Sequence, residues 1–210
     1  MARSRSSNQW LQRHVKDPFV KKARAEGYRS RAAYKLIEAN TKERFLVPGA
    51  RVVDLGAAPG GWSQVAAQKV APGGKVVAVD LLEFAPISNV MILRGDCREA
   101  GVQAQLAEAL GGDRADVVLS DMSPNISGIA SADQARAAEL VRMALDFCRA
   151  QLQPGGALLV KVFQGEEFAG LLKEMKLLFR EVRTLKPSAS REESRETYLL
   201  ARGLKGYNTQ

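Results

Sequence analysis

From Pro48-Gly49 onward, short apolar runs alternate with segments whose apolar residues recur at helical spacing. Five runs read as strands buried on both faces: Arg51–Leu55, Lys75–Asp80, Val90–Arg94, Ala115–Asp121 and Gly156–Phe163. Helical spacing fills the intervals at Trp62–Val70, Gly101–Leu110 and Asp133–Leu152, and Glu166–Phe179 is a further amphipathic helix. This rhythm predicts an α/β fold, a Rossmann-like doubly wound sheet with helices on both faces. Two last runs, Glu181–Lys186 and Glu196–Arg202, are separated only by a polar loop rich in Ser and Arg. Such a loop is too short for a helical crossover, so the mostly parallel seven-stranded sheet is expected to end in an antiparallel pair.

The 210 residues, 46% of them hydrophobic, suffice for one sizeable core. We therefore expect a basic N-terminal arm and helix (1–35) joined to one catalytic domain (36–210). No stretch approaches the roughly 20 apolar residues that cross a bilayer, and Met1-Ala2-Arg3-Ser4-Arg5-Ser6-Ser7 has no apolar segment behind its arginines. The expectation is a soluble cytoplasmic protein with no membrane partner; a mitochondrial presequence is the second reading of the Arg/Ser-rich start. No long apolar patch asks for a second copy, so a monomer is expected.

Charge sharpens this picture. Residues 1–35 hold ten Lys and Arg against two acids, an excess equal to the whole net charge of +8. A neutral body with a basic arm suggests a polyanionic partner, of which nucleic acid is the commonest. His14 is the single histidine and lies in that arm, while Cys97 and Cys148 show no metal-ligand spacing. Neither a histidine-based triad nor a metal site has the residues it needs, so chemistry falls to carboxylates, lysines or a cofactor.

Val52-Val53-Asp54-Leu55-Gly56-Ala57-Ala58-Pro59-Gly60-Gly61-Trp62 runs from a strand through a glycine-rich turn into a helix. The glycines allow a sharp turn and close approach of a ligand to the backbone, and the helix start adds free N–H groups. A pyrophosphate loop would read Gly-x-Gly-x-x-Gly; here Gly56 is followed by two alanines, and Pro59 lacks a donor. A phosphate-free adenosyl ligand fits better. Asp80 ends the second strand, where a carboxylate accepts ribose hydroxyls, and Asp96 follows the third, placed for an adenine amine. Asp121 ends the fourth strand. Lys161 stands inside the apolar fifth, where an ammonium must be paired or functional unless it snorkels to solvent.

These residues carry a family resemblance. The stretch from Val53 to Gln64, Val160-Lys161-Val162-Phe163-Gln164-Gly165-Glu166, Ser120-Asp121-Met122 and Ser194-Arg195-Glu196, with Trp10-Leu11 and Arg29-Ser30-Arg31-Ala32 in the leader, make the chain similar to the FtsJ/RrmJ (RlmE) family of heat-shock ribosomal RNA methyltransferases. The resemblance covers nearly the whole chain, to Tyr198-Leu199-Leu200-Ala201. It implies S-adenosyl-L-methionine as cofactor, contacted by Gly60, Trp62, Asp80, Asp96 and Asp121, with Asp54, Gly56 and Pro59 of the same loop also counted as cofactor-binding, and no metal. It further implies a Lys35, Asp121, Lys161 and Glu196 constellation around the target hydroxyl, with Lys161 as central base, and 2′-O-methylation of a uridine in the A-loop of 23S rRNA within the large subunit. Ser123 and Glu83 depart from the family's usual Ala and Pro, away from those four positions. Arg29 and Arg31 read as an RNA clamp, and Tyr34 as either a base-stacking ring or an anchor. The competing readings are a non-catalytic ribosome-assembly factor, which would show a damaged loop or a missing catalytic residue, and a nicotinamide oxidoreductase, which the Gly56-to-Gly60 spacing disfavours.

Overall fold

The computed structural model describes residues 17–190 and 194–206. Trp10-Leu11 of the leader, His14 and the leader cations Arg3, Arg5, Arg13 and Lys16 lie outside the described residues. The chain forms α1 (Pro18–Ala25), α2 (Ala33–Glu43), β1 (Arg51–Leu55), α3 (Gly61–Val70), β2 (Lys75–Asp80), β3 (Val90–Arg94), α4 (Ala100–Leu110), β4 (Ala115–Ser120), α5 (Ala130–Gln151), β5 (Leu152–Phe163), α6 (Phe168–Leu178), β6 (Phe179–Leu185) and β7 (Glu196–Leu204).

All seven strands join one sheet in the order β3-β2-β1-β4-β5-β7-β6. The pairs from β3 to β5 are parallel, whereas β7 runs antiparallel to both β5 and β6. The expected doubly wound sheet with an antiparallel end is thus present. Element ends shift by a few residues, most at β5, which begins four residues early.

Side-chain alternation sorts the strands onto two cores. Val53, Leu55, Val77, Val118, Leu158 and Val160 face α4, α5 and α6. Their neighbours Val52, Val76, Val117, Leu119 and Leu159 face α2 and α3, together with Tyr198 and Leu200 of β7. The leader is therefore part of the second core. Residue 35 lies within α2, where Ala33, Leu36 and Ala39 are buried against Val52, Trp62 and Leu159. A smaller cluster of Ala23, Tyr34 and Ala189 seats α1 on α2 and on the loop before β7.

The order reverses at β1, whose neighbours are β2 and β4, and this switch point opens a crevice at the carboxyl ends of the strands. The turn leaving β1 sits there. Gly56 has φ +69°, and a Cβ at that position would lie 2.2 Å from the Met122 side chain, so only glycine fits. Below the turn Asp54 is buried and accepts a 2.6 Å hydrogen bond from the Ser63 hydroxyl, tying β1 to α3. Burial pushes its carboxyl up to about 7; the Ser63 hydrogen bonds oppose the shift, and the charges of Asp121 and Asp80 add to it.

Two outcomes follow from this packing. Leu36→Ala removes a fully buried side chain between α2 and the sheet, at a cost of about 2–5 kcal/mol in urea unfolding; a loss below ~1 kcal/mol would mean the leader helix is not part of the cooperative core. The second outcome concerns pH. Between the ordinary Asp value of 3.8 and about 7, the folded chain keeps a proton on Asp54 that the unfolded chain has released, so this group lowers stability as pH rises through that window. Asp54→Asn removes the effect. Unfolding of the ligand-free variant should therefore gain on the wild type between pH 5 and pH 8, by roughly 1.4 kcal/mol for each unit of pKa difference expressed. A constant difference across that range would refute an ionisable buried Asp54.

Candidate active site

Alternation also brings the polar cluster together. Lys161 lies two residues beyond Leu159 and Asp121 two beyond Leu119, at the ends of columns that feed the α2–α3 core. The antiparallel register sets Tyr198 opposite Lys161 and Glu196 opposite Phe163. Lys35 reaches the same place from α2, and four segments of distant sequence thus converge on one buried spot.

Lys161 does not snorkel to solvent. It is 7% exposed, donates to the Asp121 backbone carbonyl at 2.6 Å and sits 3.1 Å from Asp121 Oδ1. The Tyr198 hydroxyl donates to that same Oδ1 at 2.7 Å and accepts from Lys35 Nζ at 3.0 Å. Lys35 Nζ also pairs with Glu196 Oε1 at 2.6 Å, and Glu196 accepts from the Ser190 hydroxyl at 3.0 Å. Two ammonium groups and two carboxylates are thus joined through one phenol. Burial pushes the Glu196 carboxyl up, but the Lys35 ammonium, the charge of Lys161 and the Ser190 hydrogen bond outweigh it and hold the group below its ordinary value. Burial, then the charges of Asp121 and Glu196, pushes the Tyr198 phenol far up, so it serves as a neutral bridge.

The four expected catalytic positions, Lys35, Asp121, Lys161 and Glu196, therefore meet. The bridging role of Tyr198 is not visible in the matching segment Tyr198-Leu199-Leu200-Ala201. The available signal was period two on β7, which puts Glu196 and Tyr198 on one face and Leu200 behind them.

The expected cofactor residues line or support the crevice beside this cluster. Asp80 accepts from Ala58 N at 2.8 Å with one oxygen and from Leu82 N at 2.7 Å with the other. A carboxylate has about four acceptor sites, so Asp80 keeps capacity for a diol while fixing the turn. Asp96 accepts from Arg98 through its side chain and backbone N–H, which hold its carboxyl below the ordinary value. At Gly60, φ +101°, a Cβ would lie 2.4 Å from Ile87 and 3.2 Å from Phe84, so the loop after β2 packs directly on the turn. Trp62 is buried: its indole donates to Ala32 O at 2.8 Å and its ring lies 5.7 Å from that of Tyr198. Asp54 lies under the turn as described. The turn is a cradle of small residues flanked by Asp80 and Asp96, and the Arg29 guanidinium that reaches it is taken up by the carbonyls of Pro59, Ala85 and Pro86, so the lining fits an uncharged adenosyl group better than a phosphate.

The leader arginines are engaged within the protein, against their reading as a free RNA clamp. Arg31 pairs with Asp17 and donates to Ala189 O, and Arg29 donates to the carbonyls of Pro59, Ala85 and Pro86. Tyr34 is an anchor: it is buried, bonds Glu26 and packs on Phe19 and Tyr28. Among the described residues no cluster of His, Cys, Asp and Glu could hold a metal, and no helix is long and apolar enough to cross a membrane.

Comparison with known proteins agrees with this geometry. The FtsJ-like methyltransferase family model matches residues 28–204. The chain is 50% identical over 206 residues to ribosomal RNA large subunit methyltransferase E of Pseudomonas fluorescens, covering 98% of this chain and 99% of that protein. It is 52% identical over 203 residues to the protein of the same name from Chromobacterium violaceum, covering 97% and 99%. A crystal structure described as a ribosomal RNA methyltransferase from Plasmodium falciparum superposes with a TM-score of 0.77 at 30% identity, over 86% of this chain and all of that one. With the glycine-rich turn, the strand-end acids and the buried lysine cluster all inside the matched span, the chain belongs to the FtsJ-like methyltransferase family.

Proposed function

We propose that this protein is an S-adenosyl-L-methionine-dependent RNA methyltransferase that modifies the ribose 2′-hydroxyl of a uridine in the A-loop of 23S rRNA. Its substrate is the large ribosomal subunit late in assembly, and it works in the cytoplasm as a monomer. The observation that carries this reading is the buried cluster of Lys161, Asp121, Tyr198, Lys35 and Glu196 beside an adenosyl-type crevice. The names of the relatives from Pseudomonas and Chromobacterium support ribosomal RNA as the substrate.

Asp80 and Asp96 would hold the nucleoside end of the cofactor, and the Gly56–Gly60 turn would give it a close backbone surface. When bound, S-adenosylmethionine supplies a methyl group made electrophilic by its sulfonium. The protein's task is then to present a ribose oxygen in line with that methyl and to manage one proton. Lys161 stands centrally: two of its three N–H groups face the carbonyl and carboxylate of Asp121, which leaves one for the incoming hydroxyl. This donor geometry supports orienting the 2′-oxygen and stabilising negative charge on it, in preference to a free-amine base. Asp121, in contact with the same ammonium, accepts the hydroxyl proton. Lys35 and Glu196 keep the phenol of Tyr198 and the charge balance in place.

RNA is drawn in by the leader. With Arg29 and Arg31 turned inward, its exposed cations among the described residues are Lys21, Lys22 and Arg24 on α1, which grip phosphates without reading sequence.

Transfer of labelled methyl to large subunits from a strain lacking its own enzyme tests the reaction. Lys161→Ala should cut transfer by about 10²–10³-fold while cofactor binding persists. Label at a position other than a ribose 2′-oxygen, or none from a wild type that binds cofactor, would overturn the assignment. For the leader, the Lys21→Glu, Arg24→Glu double variant should bind subunits more weakly, with a salt dependence shallower by roughly one to two contacts' worth. An unchanged salt slope would exclude α1 from the interface.

A further inference from the structure

Arg29 was expected at an RNA surface, yet its guanidinium bridges two segments of the cofactor crevice. One nitrogen donates to Pro59 O of the glycine-rich turn at 3.1 Å and also to Ala85 O; the other donates to Pro86 O. Ala85 and Pro86 belong to the loop between β2 and β3, the loop that begins at Asp80 and covers Gly60 with Phe84 and Ile87. The arginine is held from behind as well. Its backbone N–H donates to Gln64 Oε1 of α3 at 2.8 Å, and Gln64 returns a bond to Gly27 O at 3.1 Å. The Ser30 side chain also packs on the start of α3, where a Cβ on Gly61 would lie 2.4 Å from its hydroxyl.

Two fastenings therefore join the turn to the loop after β2. Asp80 is the inner one, through Ala58 N and Leu82 N. Arg29 is the outer one, and it comes from a part of the chain remote from the turn in sequence. A loop whose backbone is largely exposed has little apolar burial to hold it, so removal of three charge-assisted hydrogen bonds should let it open.

We propose that Arg29 is a positioning residue for the cofactor: it latches the Ala85–Pro86 loop onto the Pro59 turn and sets the width of the adenosyl crevice, rather than gripping RNA. The proposal rests on the S-adenosylmethionine reading above and adds to it a residue that acts on cofactor affinity from the leader. Lysine cannot span the same three carbonyls, because it offers a single nitrogen in place of a planar fork.

Amide hydrogen exchange across residues 81–89 of ligand-free protein tests the latch without any cofactor. Exchange should quicken in Arg29→Ala, quicken less in Arg29→Lys, and stay at the wild-type rate in Arg24→Ala, which removes a leader charge on α1. Calorimetric titration with S-adenosylmethionine and S-adenosylhomocysteine should then show affinity weakened about 10-fold in Arg29→Ala, with part of the loss recovered in Arg29→Lys. In turnover the KM for S-adenosylmethionine should rise while kcat at saturating cofactor stays near wild type. Wild-type exchange and cofactor affinity in Arg29→Ala, with a loss confined to subunit binding, would overturn the latch and return Arg29 to the RNA surface. A wild-type protein that binds neither cofactor form would instead overturn the methyltransferase reading, and the exchange result would still decide the latch.

Discussion

The rest of the site depends on how an ammonium is kept inside a central strand. Lys161 sits between β4 and β7 at 7% exposure, and an unpaired charge there would cost several kcal/mol. Asp121 is the compensation, and the parallel register of β4 with β5 delivers it to the same level. One carboxylate leaves a second problem, since its oxygen also needs donors. Tyr198 supplies one from the opposite strand, and Tyr198 in turn is steadied by Lys35, whose own charge is met by Glu196. Each member is present because the one before it would be unsatisfied alone. The sum of formal charges is zero, a condition under which such a cluster can stay buried.

That chain of compensation explains why the leader cannot be separated from the body. A helix that only gripped RNA would need an outward face and a flexible joint. Instead α2 contributes Leu36 to the sheet core and Lys35 to the cluster in successive positions, while Arg31 and Tyr34 fasten α1 and the loop before β7. The same segment braces the cofactor turn through Ala32, Ser30 and Arg29. The buried lysine cluster and the glycine-rich turn are thus both positioned by one short stretch, residues 29–36, and for the proposed reaction small displacements of reacting groups are costly in rate.

Most of the architecture was legible in the sequence because strand and helix periods are local signals. The five buried runs, the crossover helices and the antiparallel end needed nothing from distant residues. Lys161 and Asp121 were legible for a related reason: a charge in an apolar strand, or at its carboxyl end, stands out against the pattern. What stayed hidden was set by tertiary contact. Arg29 and Arg31 look like any basic patch until Pro59, Ala85, Asp17 and Ala189 are seen to receive them. Tyr198 looks like a core aromatic, which by burial it is; only the register with Lys161 reveals a bridging hydroxyl. Asp54 reads as a ligand residue from its motif, and the structure adds a contact the motif does not show, its hydrogen bond with Ser63 beneath the turn.

The two faces of the sheet divide the work. On the α4–α6 face the strands meet a core built of aliphatic residues, Phe147, Phe179, Met175 and two cysteines, with no charged residue in the cluster. Such a face can be rigid because every contact is dispersive and close-packed. The α2–α3 face begins in the same way at Val52, Val117 and Leu159, then ends at the crevice in Asp54, Asp121 and Lys161, one polar group at the head of each apolar column. Polar groups mounted near the carboxyl ends of three adjacent, hydrogen-bonded strands have little freedom to shift independently. In the proposed reaction the protein's contribution is mainly alignment of an oxygen with a methyl group, and such a reaction gains more from that stiffness than from any single strong acid or base. This is the physical sense in which a site with no histidine in its body and no metal cluster among its described residues can still be well equipped for group transfer.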